Sequence, residues 1–161
     1  MKMLYHTSNT IIIQPDTFHS REHLDFGRGF YLTPLYDQAN KYAERFLRKG
    51  EDAYINVYEI EDDLSEFSQK VFEAYDNEWL DFVTACRKGL PHHAYDIIEG
   101  GIADDQVFNT IDLYFAGIYT YEQALDQLRF KHPNRQLCIT NQKILAEKLH
   151  FVKYIKVTSI N

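Results

Sequence analysis

What this chain has little of already narrows its function. Its 161 residues include only two cysteines, four prolines, seven glycines and one tryptophan. Cys86 and Cys138 lie in unrelated contexts, too few for a disulfide framework or a four-ligand metal site. So little proline and glycine excludes a collagen-like chain, and 45% hydrophobic with 15% aromatic residues excludes a disordered one. No apolar run approaches the ~20 residues a bilayer helix needs, so no membrane is expected. The opening Met1-Lys2-Met3-Leu4-Tyr5-His6-Thr7-Ser8-Asn9 meets polar residues too soon for a secretory signal. A reducing cytoplasm is the expected compartment. There is no Walker phosphate loop and no Gly-x-Ser-x-Gly elbow. Gly27-Arg28-Gly29 precedes a strand-like run and does not open a helix, so it is no dinucleotide fingerprint.

Positive charge is scarce where the chain is longest. Residues 1–50 carry 7 basic and 5 acidic side chains, residues 51–128 carry 3 and 18, and residues 129–161 carry 7 and 1. A protein that grips a long duplex needs many phosphate-neutralising groups, and the middle segment would repel one. A small anionic ligand held by a few local groups remains open, as does a basic protein partner.

No repeat, low-complexity tract or linker divides the chain, so residues 1–161 read as one domain. Met3–His6 and Thr10–Ile13 are β-prone. Gln14–Arg28 reads as a long loop, and Phe30–Thr33 as a strand. From Pro34 the period becomes helical: Leu35, Ala39, Tyr42, Ala43 and Phe46 share a face, Thr33 is placed to cap, and Gly50 stops the run. Tyr54–Ile60 and Lys70–Ala74 are β-rich. Glu78–Arg87 reads as a helix with Trp79, Leu80, Val83 and Cys86 inward. Tyr95–Glu99 is a strand. Asp104–Ala116 is a helix with Val107, Phe108, Ile111, Tyr114 and Phe115 on one face, and Tyr121–Phe130 is another, which together form a helical insert around 102–130. Arg135–Thr140 is a strand, Gln142–Leu149 a short helix and Phe151–Val157 a last strand. Without strict βαβ spacing, the expected class is α+β with a mixed sheet.

Three polar groups on separate strand-like runs stand out: His6 after Leu4-Tyr5, Tyr31 within Phe26-Gly27-Arg28-Gly29-Phe30-Tyr31-Leu32-Thr33, and Gln136 before Leu137-Cys138-Ile139. This pattern resembles the His-Tyr-Glu branch of the ADP-ribosyltransferase superfamily, the branch of diphtheria toxin and the poly(ADP-ribose) polymerases. It looks closest to a family of uncharacterised small bacterial proteins marked by Leu-Tyr-His-Gly-Ser-Asn, Phe-Gly-x-Gly-Phe-Tyr-Leu-Thr and a late Asn-x-Gln strand. Here those segments read Leu4 to Asn9, Phe26 to Thr33, and Asn134-Arg135-Gln136. Glu78-Trp79-Leu80-Asp81-Phe82-Val83 and Asp104-Asp105-Gln106-Val107-Phe108 are similar too, so the resemblance covers nearly the whole chain.

The resemblance implies split mixed β-sheets with flanking helices, NAD as co-substrate in the cleft, and transfer of a single ADP-ribose to a macromolecular acceptor. That acceptor is a protein or a nucleic acid, the protein being favoured. A toxin or defence factor controlled by a neighbouring antitoxin is the implied context. His6 would bond a ribose hydroxyl, as a neutral imidazole can through either nitrogen. Thr7, where that family has glycine, would offer its backbone N–H and C=O to the nicotinamide amide, with Ser8 beside it. Tyr31 would lie against the nicotinamide ring and Tyr42, eleven residues on, would stack as well, worth ~1 kcal/mol each. Arg28 would meet the NAD pyrophosphate with its bidentate fork or else face solvent, and Gly29 beside it counts among the cofactor-binding positions. Ala39 stands where the polymerases place a hydroxyl.

Gln136 departs furthest, since the polymerases carry glutamate there. An amide still binds a ribose hydroxyl but brings no negative charge, and a lost preorganised charge costs ~2.7–4 kcal/mol. Polymer elongation is therefore not expected. Asp104 and Asp105, after Gly100-Gly101, are candidate substitute acids, with Glu99 a weaker one. Two other outcomes stay open: a catalytically silent NAD or ADP-ribose-binding module, and NAD hydrolysis to water. Plainer roles compete throughout. His6 can be a structural strand-end histidine, the tyrosines core aromatics among 24 aromatic residues, Asp104 a helix cap, and Arg28 a solvated side chain. His92-His93, with Cys86 nearby, reads as an exposed pair and not as a metal site, and Cys138 as a buried small hydrophobe.

Overall fold

Side-chain alternation sorts the strands into two sheets. In this computed structural model, which describes residues 1–18, 24–89, 94–101, 105–128 and 134–159, β1 (Lys2–Ser8) pairs antiparallel with β3 (Ala53–Ile60). On its other edge β3 pairs antiparallel with β7 (Leu149–Val157). The second sheet runs β2 (Phe30–Leu32), β6 (Gln136–Ile139), β5 (Ile97–Gly100), β4 (Gln69–Val71), and only its β4–β5 pair is parallel. A single bridge, Tyr5 to Thr33, ties the two sheets edge to edge. The class is α+β, with one antiparallel and one mixed sheet.

Leu4, Tyr58 and Ile60 of the first sheet meet Phe30, Leu32, Ile97, Leu137 and Ile139 of the second in one apolar layer. Helix α6 (Gln142–Glu147) closes that layer with Ile144 and Leu145 and is capped by Asn141. Because successive strand residues face opposite ways, Ile98 and Cys138 look out from the other face of the second sheet. There they meet Trp79, Leu80 and Val83 of α3 (Asn77–Arg87), Val107 and Ile111 of α4 (Asp105–Phe115), and Ala124 and Leu128 of α5 (Tyr121–Leu128). Asp76 caps α3 by accepting from the Trp79 N–H at 3.0 Å. A third, smaller core joins Ala39 of α1 (Tyr36–Tyr42) to Ile55 and Val57, and the short α2 (Glu44–Arg48) follows.

Two expected elements differ. Thr10–Ile13 is not a strand, because both edges of β3 are already taken and side chains satisfy this backbone instead. Asn56 Oδ1 accepts from the Ile12 N–H, Asn56 Nδ2 donates to the Thr10 carbonyl, and the Tyr58 hydroxyl donates to the Ile12 carbonyl at 2.6 Å. The helix from Pro34 breaks at Ala43, and Leu35, not Thr33, is its N-cap, without a side-chain cap bond. Only Ala39 and Ala43 of its expected inner face are buried, whereas Leu35 and Tyr42 are exposed. In α4, Phe115 is exposed at the helix end while Val107 and Ile111 are buried; the Phe108 side chain, like residues 129 and 130 of the expected last turn of α5, lies outside the described residues.

Candidate functional site at the seam between the sheets

The site is built where β1 and β2 part. Tyr5 and Thr33 exchange both backbone bonds, Tyr5 N–H to the Thr33 carbonyl at 2.9 Å and the reverse at 2.8 Å. The next residue that turns its backbone to the same side is Thr7, by the two-residue repeat of a strand. Its pairing with β2 does not continue, since the bridge at Tyr5 is isolated. Opposite, the Tyr31 carbonyl accepts from His6 Nδ1 at 2.5 Å. The N–H and C=O of Thr7 therefore face the seam without a strand partner among the described residues.

His6 is fixed from two sides. A carbonyl can only accept, so Nδ1 carries the proton and Nε2 is left as a bare acceptor. Its ring stacks on Phe30 with centroids 4.3 Å apart. Burial holds its pKa below the ordinary 6.5, more than the bond to Tyr31 raises it, which favours the neutral ring. The Asn56 amide, opposite His6 in β3, also donates to the His6 carbonyl, so one buried asparagine ties the strand to the loop that follows it.

Tyr31 uses its side chain on the other face. Its ring packs with the core under α3 and α4, and its hydroxyl donates to the Gly27 carbonyl at 2.5 Å while accepting from the Phe26 N–H at 3.2 Å. The phenol thus staples the turn in which Gly27 takes φ 85°, a conformation glycine adopts freely. Burial, with Cys138 and Asp25 nearby, pushes the phenol pKa well up.

Gln136 stands on this same face, in register with Gly100 of β5. Its Nε2 donates to Asp25 Oδ2 at 3.3 Å and to the Gly101 carbonyl at 3.4 Å. Asp25 is held in turn by Arg87, whose Nε and Nη2 both reach Oδ1, at 3.0 and 2.6 Å. Both side chains of that ion pair are nearly enclosed, 12% and 13% exposed. Trp79 Nε1 gives Gly101 a second donor at 3.2 Å.

A family model described as a protein of unknown function, DUF3990, matches residues 2–151. The chain belongs to that DUF3990 family. No curated protein and no solved structure matches it.

In this DUF3990 chain the three singled-out side chains are not gathered as one cluster. The His6 ring faces Phe30 and the layer between the sheets, whereas the Tyr31 ring and the Gln136 carboxamide face α3 and α4; the Tyr31 backbone is what reaches His6. Strand pleating causes the split, because adjacent residues of β2 point opposite ways. Thr7 sits in ordinary strand backbone, so it needs no glycine there, and its hydroxyl donates to the Ala39 carbonyl at 2.7 Å. Ser8 Oγ accepts from the Thr10 N–H at 3.3 Å and turns the chain. Tyr42 is 45% exposed, one turn beyond Ala39, with the Arg45 guanidinium 4.8 Å from its ring centre. Arg28 is exposed. Gly29 has a packing reason: a Cβ there would lie 2.5 Å from Cys138 Sγ and 2.8 Å from the Ile139 carbonyl.

Of the substitute acids, Asp104 lies outside the described residues, and Asp105 begins α4 with its side chain outside them. Glu99 is not beside Gln136. It faces the opposite side of β5 and pairs with Lys2 at 3.5 Å and Arg135 at 3.6 Å, lining a cavity of about 190 Å³ with Ile60, Ile97 and Leu137. A second, shallower groove lies against Pro34, Tyr36, Lys41 and Asn134. Neither is lined by His6, Tyr31 or Gln136. No group of three metal-ligating side chains stands together among the described residues; His92 and His93 lie outside them. Cys138 is buried, its thiol pushed up to about 12 by burial, which makes it a poor nucleophile. Among the described residues no helix is long and apolar enough to cross a membrane. Sequence reasoning missed Asp25, Arg87 and Asn56. Nothing in their local pattern marked them, because each matters through a partner 44 or more residues away.

Proposed function

We propose that this chain binds NAD in an ADP-ribosyltransferase-like fold and transfers a single ADP-ribose unit to a macromolecule. The observation that carries the reading is the open backbone of Thr7 beside a neutral His6 whose Nε2 is left as an acceptor. A donor and an acceptor side by side on one strand residue suit a carboxamide, and an imidazole acceptor next to them suits a sugar hydroxyl. Tyr31 serves this site by holding the Gly27 turn and by orienting His6 through its carbonyl, not by presenting a free ring.

When bound, NAD supplies an ADP-ribosyl carbon whose bond to nicotinamide breaks with the electron pair leaving on nicotinamide, and to which an acceptor nucleophile then bonds. Thr7 holds the carboxamide through its N–H and C=O. His6 accepts from a ribose hydroxyl at Nε2. Gln136, whose carboxamide lies on the helical face against Asp25 and Gly101, adds no negative charge. Tyr42, exposed on α1, is available for stacking. The 18 acidic and 3 basic residues of the 51–128 segment favour a protein acceptor over a nucleic acid, and a toxin held by an antitoxin is the context in keeping with the resemblance.

Calorimetry with NAD and measurement of nicotinamide release test this. Wild type is expected to bind NAD and release nicotinamide in the presence of an acceptor, and His6→Ala to weaken binding about tenfold, the equivalent of one hydrogen bond. One observation favours a second reading: the carboxamide of Gln136 is neutral and committed to Asp25 and Gly101, as a module that binds NAD without cleaving it would allow. Binding with no release under any acceptor selects that module, release with purified protein alone selects NAD hydrolysis, and no NAD binding at all overturns the proposal.

A further inference from the structure

A break in a helix leaves carbonyls over, and here one of them is met from the strand that carries the site. The run from Pro34 has the period of one helix, yet α1 ends at Tyr42 and α2 starts at Glu44. In an unbroken helix the Ala39 carbonyl would accept from the Ala43 N–H, four residues on. That N–H turns instead to the Asn40 carbonyl at 3.2 Å. The Ala39 carbonyl accepts from the Thr7 hydroxyl at 2.7 Å, and both residues are buried. A buried carbonyl without a donor is costly, so the hydroxyl and the break stabilise each other. Thr7 thus acts in two directions. Its N–H and C=O face the seam, while its side chain grips α1 through Ala39, which packs on Ile55, the residue opposite Thr7 in β3.

We infer that Thr7 is a positioning residue through its hydroxyl: by holding the Ala39 carbonyl it ends α1 at Tyr42 and fixes the exposed Tyr42 ring relative to the backbone that receives the carboxamide. The inference rests on the NAD reading above and deepens it. It gives a reason for threonine at a position whose strand backbone makes no demand of its own. Glycine or valine there would leave the Ala39 carbonyl without a donor. The nearest replacement is the Ala43 N–H, and taking it draws Ala43 into the helix and shifts the end of α1 that carries Tyr42. Serine keeps the bond.

The experiment measures NAD affinity by calorimetry, with melting curves, for the full chain and for Thr7→Ser, Thr7→Val, Tyr42→Ala and the double variant Thr7→Val with Tyr42→Ala. Thr7→Val and Tyr42→Ala are each expected to weaken NAD binding about fivefold. Thr7→Ser is expected to stay within about twofold of wild type. The double variant is expected to stay within about twofold of Tyr42→Ala alone, because the ring that the hydroxyl positions is gone. A merely structural role would lower the melting temperature of Thr7→Val and leave its NAD affinity unchanged. That result overturns the inference and leaves the proposed function standing. So does a loss in Thr7→Ser equal to that in Thr7→Val, or a further fivefold loss from Thr7→Val when Tyr42 is absent. If wild type does not bind NAD, both fall. Should Thr7→Val fail to melt cooperatively, Thr7→Ala, which lacks the hydroxyl and adds no bulk, replaces it with the same expected and overturning results.

Discussion

The two faces of the β2–β6–β5–β4 sheet are held by different physics. Toward the first sheet, Phe30, Leu32, Leu137 and Ile139 meet Leu4, Tyr58 and Ile60, and apolar area removed from water does the stabilising. Toward the helices, the intervening residues of the same strands add polar atoms that each need a named partner: the Tyr31 hydroxyl, the Gln136 amide, and behind them Asp25 and Arg87. A packed apolar face tolerates changes that keep volume, whereas a buried polar face fails when one donor or acceptor is left over. Function, on our reading, is placed where the second kind of face meets the seam.

Trp79→Ala breaks this comparison most severely. It empties the largest fully buried side chain from the helical face and takes a donor from the Gly101 carbonyl, at an expected cost of about 3–5 kcal/mol by denaturant unfolding. A cost below about 1 kcal/mol would mean that this face is not a packed core.

Tyr31→Phe sharpens the contrast with nearly no change in volume. Losing both hydroxyl bonds leaves the Gly27 carbonyl and the Phe26 N–H to find other partners, at about 1–3 kcal/mol. On the opposite face Phe30→Leu, which keeps the site apolar, is expected to cost less than about 1.5 kcal/mol. If the apolar exchange proved the costlier of the two, the distinction between the faces would fail.

The smallest effect is in pH. Burial lowers the His6 pKa in the folded chain, so below 6.5 the unfolded chain binds the extra proton first. The stability due to neutral His6 is complete above 6.5 and declines as pH falls from there toward the lowered folded value. Melting curves over that window should show the decline in wild type and lose this component in His6→Gln. An unchanged pH profile in the variant would show that His6 is not held neutral by the fold.

Much of the fold was legible because it rests on periodicity. The α3 run with Trp79, Leu80, Val83 and Cys86 inward, and the strand expected over Tyr54–Ile60 and found over Ala53–Ile60, follow from local spacing alone. Thr10–Ile13 misled because β-propensity says nothing about whether a sheet edge is free, and here Asn56 and Tyr58 supply the partners a strand would have had. Tyr42 misled because a helical stripe was read through Ala43, where the helix breaks. Within the candidate site, His6 and Gln136 were legible as polar residues at strand positions, but not which way either would face.

From the residues alone one can read most of the helices and strands, that the class is α+β, and that position 136 carries no charge, since these depend on neighbours within a few residues or on chemical identity. Only the folded chain decides that pairing stops at Tyr5 and leaves the Thr7 backbone open, that His6 keeps its proton on Nδ1, and that the Gln136 amide meets Asp25. Each of those needs groups 25 to 111 residues apart to meet within hydrogen-bond distance. Such bonds form only after strand order and pleat have fixed which face each side chain takes, and no local pattern encodes that.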